Sequence, residues 1–350
     1  MRFLLSTDPG IETIVADEVA DARPDAAIRP DPYASGGLVL VELAPPAPEL
    51  FELATVHHVL ELRHDAPAAT LDDIRTAARE AALPELEHAA SFRVTTERRG
   101  QHDFSTIDVQ RAAGAVLHER FGTPVDLEQP ALEIRVDLHG DHVAIGLRRT
   151  SRPLDARIRR SRPLRSALKP TLAAALIRLA GAHRGGGRLI DPMCGAGTIP
   201  LEARRINPRL EVLAVDWDSE TVAVARESAS EHGLDLTVEV ADARALGELH
   251  PGRFDYIVTD PPYGVRQARR TSMTRLYGAL LASFERALAA GGTIALIAVK
   301  ERTFLAALEG TSLRVVDRRE VDLGSMRAVL LVLRRHSAAT EHSSVGTPEG

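Results

Sequence analysis

From residue 166 to residue 335 the chain alternates strand-like and helix-like patterns, and two of its strands run into loops of unusual composition. Apolar runs of strand length stand at 188–191, 211–216, 236–240, 254–259 and 293–299, with helical spacing between them, and two more follow at 313–317 and 328–333. That alternation predicts an α/β fold: a mostly parallel, seven-stranded sheet with helices on both faces. A helical segment at 168–180 leads into it.

The first loop closes the strand at 188–191 and reads Asp191-Pro192-Met193-Cys194-Gly195-Ala196-Gly197-Thr198. Gly195 and Gly197 permit a tight turn and close approach of a ligand to the backbone. Thr198 opens the next helix, whose free N–H groups can meet an anion. The following strand ends in Asp216-Trp217-Asp218. Asp216 has the spacing of an acid that holds ribose hydroxyls, and Asp218 reads as the N-cap of a helix over 219–231. Trp217, the single Trp, is left with two readings, core packing or the lining of an adenine pocket. The third strand ends in Ala241-Asp242-Ala243, where Asp242 can cap the next helix and accept a bond from an adenine amino group.

The second loop, Thr259-Asp260-Pro261-Pro262-Tyr263-Gly264, follows an apolar strand. A nucleobase amine is a poor nucleophile because its lone pair is delocalised into the ring. The Asp260 carboxylate and the Pro261 carbonyl can accept N–H bonds from such an amine. This turns the lone pair outward and stabilises charge developing on nitrogen. Pro261 and Pro262 stiffen the loop, and Tyr263 offers a ring for base stacking. In this order the two loops describe methyl transfer from S-adenosylmethionine to an exocyclic amine. Cys194 sits inside the cofactor loop, away from the target base, so a cysteine nucleophile of the kind that methylates carbon-5 of pyrimidines is set aside.

Composition narrows the setting. The formal net charge of −6 carries no basic excess, so any phosphate binding falls to local patches. The cations are almost all Arg, with Lys only at Lys169 and Lys300. A single cysteine excludes an intrachain disulfide and a cysteine zinc cluster. It suits a reducing cytosol, and no metal is expected. The opening Met1-Arg2-Phe3-Leu4-Leu5-Ser6-Thr7-Asp8 has too short an apolar run for a signal peptide. No run reaches the ~18 apolar residues of a membrane span. A monomeric cytoplasmic protein with no membrane partner is expected.

A chain of 350 residues has room for two or three domains of about 150 residues each. Residues 1–66 read as a small α+β unit: a strand at 2–6, a helix at 11–20, a strand at 38–41 and a helical pattern at 49–62. Residues 67–147 read as a second unit. It has an N-cap at Thr70, a strand at 91–96, a helix at 106–120 and a hairpin of 132–138 with 143–147. Residues 148–165 hold eight Arg against one acid, Asp155, and read as an exposed basic connector. The catalytic half spans 166–335. The tail 336–350 is polar, without periodicity, and is expected to be disordered.

These motifs resemble those of Rossmann-fold amino-methyltransferases, and 1–335 as a whole resembles the THUMP-domain tRNA guanine-N2 methyltransferases. Thr7-Asp8-Pro9-Gly10-Ile11-Glu12 is similar to the entry of that family's ferredoxin-like domain. Ser91-Phe92-Arg93-Val94, the run Glu97-Arg98-Arg99-Gly100-Gln101-His102-Asp103-Phe104 and Val125-Asp126-Leu127-Glu128-Gln129-Pro130 are similar to its THUMP core. Pro163-Leu164-Arg165 resembles the segment before its methyltransferase domain. The resemblance implies a class I methyltransferase sheet preceded by ferredoxin-like and THUMP domains. It also implies S-adenosylmethionine as cofactor, binding of the 3′ end of tRNA by THUMP, and a guanosine target at position 6 or 10. The N-terminal architecture leans toward position 6 and Asp260 toward position 10. Arg93, Arg98 and Arg99, with Arg157, Arg159 and Arg160 of the connector, are the expected phosphate contacts. Ribosomal-RNA guanine, adenine-N6 and non-catalytic RNA-binding alternatives stay open on sequence alone.

Overall fold

The computed structural model describes residues 1–157, 168–263, 270–324 and 326–336, in two units. The first comprises Met1–Arg157 with Pro170–Ala175. Its strands are β1 (Arg2–Ser6), β2 (Ala27–Pro30), β3 (Leu38–Glu42), β4 (His58–Pro67), β5 (Phe92–Thr95), β6 (Arg98–Arg99), β7 (Leu132–His139) and β8 (His142–Arg148). Its helices are α1 (Glu12–Ala22), α2 (Leu71–Glu80) and α3 (Thr106–Phe121). Thr70 with Asp73, and Ser105 with Asp108, form capping boxes that start α2 and α3.

One sheet, in the order β2-β3-β1-β4-β8-β7-β5 with β6 on β7, runs through the whole unit. Strand alternation sorts its side chains by face. Phe3, Leu5, Val39, Val41 and Val59 pack with Val15 and Val19 of α1. Further along, Ile134, Val136, Leu138 and Ile145 pack with Ile74 of α2 and Val109 and Leu117 of α3. The opposite face carries a smaller cluster of Leu4, Leu38, Leu40, Leu60 and Leu62 under Tyr33.

The helical pattern expected over 49–62 is not what forms. A short 3-10 turn, Pro48–Phe51, is followed by β4. Val59 faces one core and Leu60 and Leu62 the other. A strand buried on both faces gives a continuous apolar run, which periodicity cannot tell from a helix. The short edge strand β2 was likewise not anticipated.

Helix α4 (Pro170–Leu179) is divided between the units, with Leu176 onward in the second. Leu172–Ile177 are fully buried, as expected of a helix that is apolar all round. The second unit continues with β9 (Gly187–Asp191), α5 (Thr198–Ile206), β10 (Leu210–Asp216), α6 (Ser219–Glu231), β11 (Thr237–Val240) and α7 (Leu246–Leu249). Then come β12 (Phe254–Thr259), α8 (Arg270–Ala287), β13 (Leu288–Ala298), α9 (Glu301–Leu308), β14 (Leu313–Asp322) and β15 (Arg327–Arg335).

The strand order is β11-β10-β9-β12-β13-β15-β14. β11 through β13 are parallel, and β15 enters antiparallel between β13 and β14. The order reverses between β9 and β12, which pair directly at Leu189–Tyr256 and Ile190–Ile257. In open α/β sheets ligands bind outside the carboxyl ends of the strands at such a switch point. Both unusual loops leave the sheet there.

Candidate active site

Strand β9 delivers Asp191 to the crevice, and the chain turns back on itself to begin α5. Gly195 and Gly197 have φ of +51° and +88°, values that suit glycine. Gly197 is also where α6 comes close, since a Cβ there would lie 3.3 Å from that of Ala225. A Cβ at Gly195 would meet no atom within 4 Å. Gly197 is the N-cap of α5 and supplies no side-chain acceptor. The first N–H groups of that helix are therefore offered to a ligand.

Asp216, at the end of β10, braces this loop. One carboxylate oxygen accepts from the Gly195 N–H and the other from the Asp218 N–H, both at 3.0 Å. Asp218 caps α6 by accepting from the Glu220 N–H, as its sequence position implied. Trp217, next in sequence to Asp216, is 80% exposed, which removes the core-packing reading. Asp242 caps the 3-10 turn that starts at Ala243 and forks onto Arg244. Cys194 is buried and burial pushes its thiol up, so it offers no thiolate. Pro192 and Met193 complete the turn, with the Met193 N–H donating to Asp191 at 3.2 Å.

Asp191 itself is buried and accepts a 2.8 Å bond from the Thr259 hydroxyl at the end of β12. Burial pushes its carboxyl up to about 8. The bonds from Thr259 and Met193 oppose this, and the nearby Asp260 and Asp216 carboxylates add to it. Asp260 is partly buried, and burial pushes it up to about 7. Pro261 is buried, Pro262 exposed and Tyr263 partly buried. The Pro262 carbonyl accepts a 2.9 Å bond from the Tyr277 hydroxyl.

Three carboxyls, Asp191, Asp216 and Asp260, thus lie close enough to act on one another beside the glycine loop and the start of α5. That donor and acceptor set fits S-adenosylmethionine, which carries an ammonium, a carboxylate, a cationic sulfur and ribose hydroxyls. The sequence expectation assigns the helix start to its carboxylate, Asp216 to its ribose, and Trp217 and Asp242 to its base. Among the described residues no cluster of His, Cys, Asp and Glu could hold a metal, and no helix is long and apolar enough to cross a membrane.

The arginines expected to meet RNA are engaged within the first unit. Arg93 forks onto Glu133, with contacts at 3.2 and 2.6 Å. Arg98 donates to the carbonyls of His102 and Phe104, and Arg99 to Glu97 and the Gly36 carbonyl. Arg157 donates to the carbonyls of Phe51, Glu52 and Leu53, at 2.6, 3.0 and 3.1 Å. Those carbonyls belong to the end of a 3-10 turn, where backbone acceptors lack local partners. Arg157 therefore has a structural task that its place in a basic run concealed. Arg159 and Arg160 lie outside the described residues, as do 337–350 of the expected tail. The sequence placed Thr259 at the head of the second loop without giving it a role, and it singled out neither Tyr277 nor Ser283. Thr259 adjoins Asp260, but nothing local marks the other two.

Residues 68–148 match the THUMP domain family, and residues 157–328 match the family described as RMKL-like, methyltransferase domain. The tRNA (guanine(6)-N2)-methyltransferase of Thermus thermophilus is 36% identical over 336 residues, covering 94% of this chain and 98% of that protein. The tRNA (guanine(10)-N2)-dimethyltransferase of Methanothermobacter thermautotrophicus is 32% identical over 257 residues, covering 70% and 72%. Among solved structures, TrmN from Thermus thermophilus superposes with a TM-score of 0.82 at 34% identity, covering 96% of this chain and 99% of that one. With its glycine loop and Asp-Pro-Pro-Tyr loop side by side at the switch point of a class I sheet, this chain belongs to the THUMP-domain tRNA (guanine-N2-)-methyltransferase family.

Proposed function

We propose that this protein transfers a methyl group from S-adenosylmethionine to the N2 amine of the guanosine at position 6 of tRNA, and that its first unit takes the 3′ end of that RNA. The observation that carries the reading is the pairing of β9 with β12, which sets Asp260 and Pro261 one strand from the glycine loop. When bound, S-adenosylmethionine supplies an electrophilic methyl group on a cationic sulfur.

The chain's own residues prepare the amine. Asp260 and the Pro261 carbonyl accept its two N–H bonds, and Tyr263 stacks on the base. The lone pair then projects away from the ring, and the carboxylate faces the charge that builds on nitrogen. A carboxyl near 7 is far too weak to deprotonate an aryl amine in advance. It is well able to take the proton that the methylated, cationic nitrogen sheds. Removing an acceptor of this kind costs ~10²–10³ in rate.

Position 6 is favoured over 10 because the relative named for guanine 6 aligns over nearly the whole of both chains, whereas the one named for guanine 10 aligns over 70% of this one. A tRNA substrate and a single free thiol fit a cytosolic setting. The test is nucleoside mass spectrometry of tRNA transcripts treated with the protein and cofactor. N2-methylguanosine should form, vanish when guanosine 6 is replaced by adenosine, and persist when guanosine 10 is replaced. The opposite pattern assigns position 10. Methylation of ribosomal RNA or of adenine alone overturns the reading.

A further inference from the structure

Helix α8 carries Tyr277, whose hydroxyl donates to the Pro262 carbonyl at 2.9 Å. The ring is 3% exposed and packs against Phe304 of α9, with 5.4 Å between centroids. It belongs to the main core of the second unit, with Leu281, Phe284 and Leu296. Burial pushes its phenol up to about 12, with the Asp260 carboxylate adding to the effect. The hydroxyl therefore keeps its proton and stays a donor.

The bond acts on the part of the loop that its prolines leave free. The pyrrolidine rings fix φ at Pro261 and Pro262 near −65°. The torsions still soft are ψ at Asp260, Pro261 and Pro262. The last of these turns the peptide plane that carries the Pro262 carbonyl, and so sets the direction in which Tyr263 leaves the loop. A buried donor on a rigid helix holds that plane.

The same helix anchors the other side of the site. Ser283, fully buried, donates to the Ala243 carbonyl and accepts from the Gly247 N–H, both at 2.9 Å. Ala243 follows Asp242 on the adenine side. One helix thus holds both the loop assigned to the cofactor base and the loop assigned to the target base.

We propose that Tyr277 is a positioning residue for methyl transfer. Through the Pro262 carbonyl it fixes the stacking ring of Tyr263 against the acceptors Asp260 and Pro261, so that a base enters a clamp already ordered. The proposal rests on reading 260–263 as the amine-binding loop. Preorganisation of this kind acts on the rate of the chemical step more than on binding.

Tyr277→Phe removes only the hydroxyl. Single-turnover methylation of tRNA at saturating protein and cofactor should slow at least about tenfold, with the Kd values for S-adenosylmethionine and tRNA within about twofold of wild type. A single-turnover rate constant does not depend on the fraction of protein folded, so partial misfolding cannot imitate the loss. The second measurement is a double-mutant cycle with Asp260→Asn. If Tyr277 works through the loop that holds Asp260, the two losses overlap, and the double variant is faster than the product of the single effects. Losses that multiply, or an unchanged rate in Tyr277→Phe alone, overturn the proposal. Unchanged rates in both single variants overturn the amine-clamp reading beneath it.

Discussion

Thr259 Oγ1 lies 2.8 Å from Asp191 Oδ1 and donates to it, so the last residue of β12 is bonded to the last residue of β9. This buried bond ties the strand that launches the cofactor loop to the strand that launches the target loop. Thr259→Val keeps the shape and removes the donor. The cost should be about 1–3 kcal/mol, because an acceptor is left short of a partner in the interior. Urea denaturation would show it as a lower midpoint with an unchanged slope. An unaltered midpoint would remove the bond from the account of stability.

Asp260 should set a pH dependence. Burial pushes its carboxyl up to about 7, and only the ionised form faces the developing cation. The pH profile of kcat/KM reports the free enzyme. It should therefore rise as pH climbs through about 7, and the step should be absent in Asp260→Asn. That variant is expected to keep partial activity, because an amide oxygen still accepts a hydrogen bond. Asp260→Ala should lose ~10²–10³ in rate while binding cofactor and tRNA. A flat wild-type profile across this range contradicts the assignment.

Asp216 holds the Gly195 N–H and is the expected partner of the cofactor's ribose. Asp216→Ala should weaken S-adenosylmethionine binding by ~1.5–3 kcal/mol, the worth of a hydrogen bond to a charged group. Trp217, exposed beside it, supplies the readout. Its fluorescence should change on titration with the cofactor, and the titration should shift to higher concentration in the variant. Equal affinity in calorimetry would free Asp216 from the ribose.

His57 lies between Asp8 and Asp155, at 3.3 and 3.2 Å. Burial alone would lower its pKa, but the bonds to Asp155 and Asp8 outweigh burial and raise it to about 9. A group whose folded pKa is raised stabilises the protein fully below its unfolded value of about 6.5 and loses that contribution as pH rises through the folded one. Thermal stability should therefore fall between about pH 6.5 and 9, by at most about 3 kcal/mol. His57→Gln should remove that slope. A wild-type melting temperature that does not move across this window counts against a charged His57.

Arg157 and its neighbours in sequence should separate by assay. Arg157→Ala strips donors from three backbone carbonyls, so it should lower stability and leave the salt dependence of tRNA binding unchanged. Arg159→Ala with Arg160→Ala should flatten that salt dependence, by up to ~0.7 in slope for each phosphate of a single strand that is no longer neutralised. A flattened slope in Arg157→Ala would return that residue to the RNA surface.

What the sequence made legible was local. Gly195 and Gly197 announced a turn by their spacing, Asp218 announced a helix start, and Asp260 with its prolines announced the end of a strand. Each of these depends on a few adjacent residues. The bond from Thr259 to Asp191 depends on which strands are neighbours, and the bond from Tyr277 to Pro262 depends on where α8 packs. No local pattern encodes either. Trp217 read equally well as core packing or as the lining of an adenine pocket, because a lone aromatic beside a strand end carries no period. β4 was misread because its two buried faces erased the alternation that would have marked it.

β4 also joins the N-terminal stretch and the THUMP segment in one continuous sheet. It pairs with β1 along one side and with β8 along the other. A fragment cut at residue 67 would keep the pairing of β8 with β7 but lose that with β4, baring a row of unmatched N–H and C=O groups along an edge that carries Val143, Ile145 and Leu147. Such a rim recruits other chains. The THUMP segment of this protein is therefore half of a sheet rather than a portable module, and its neighbours in the chain serve as its built-in protection against aggregation.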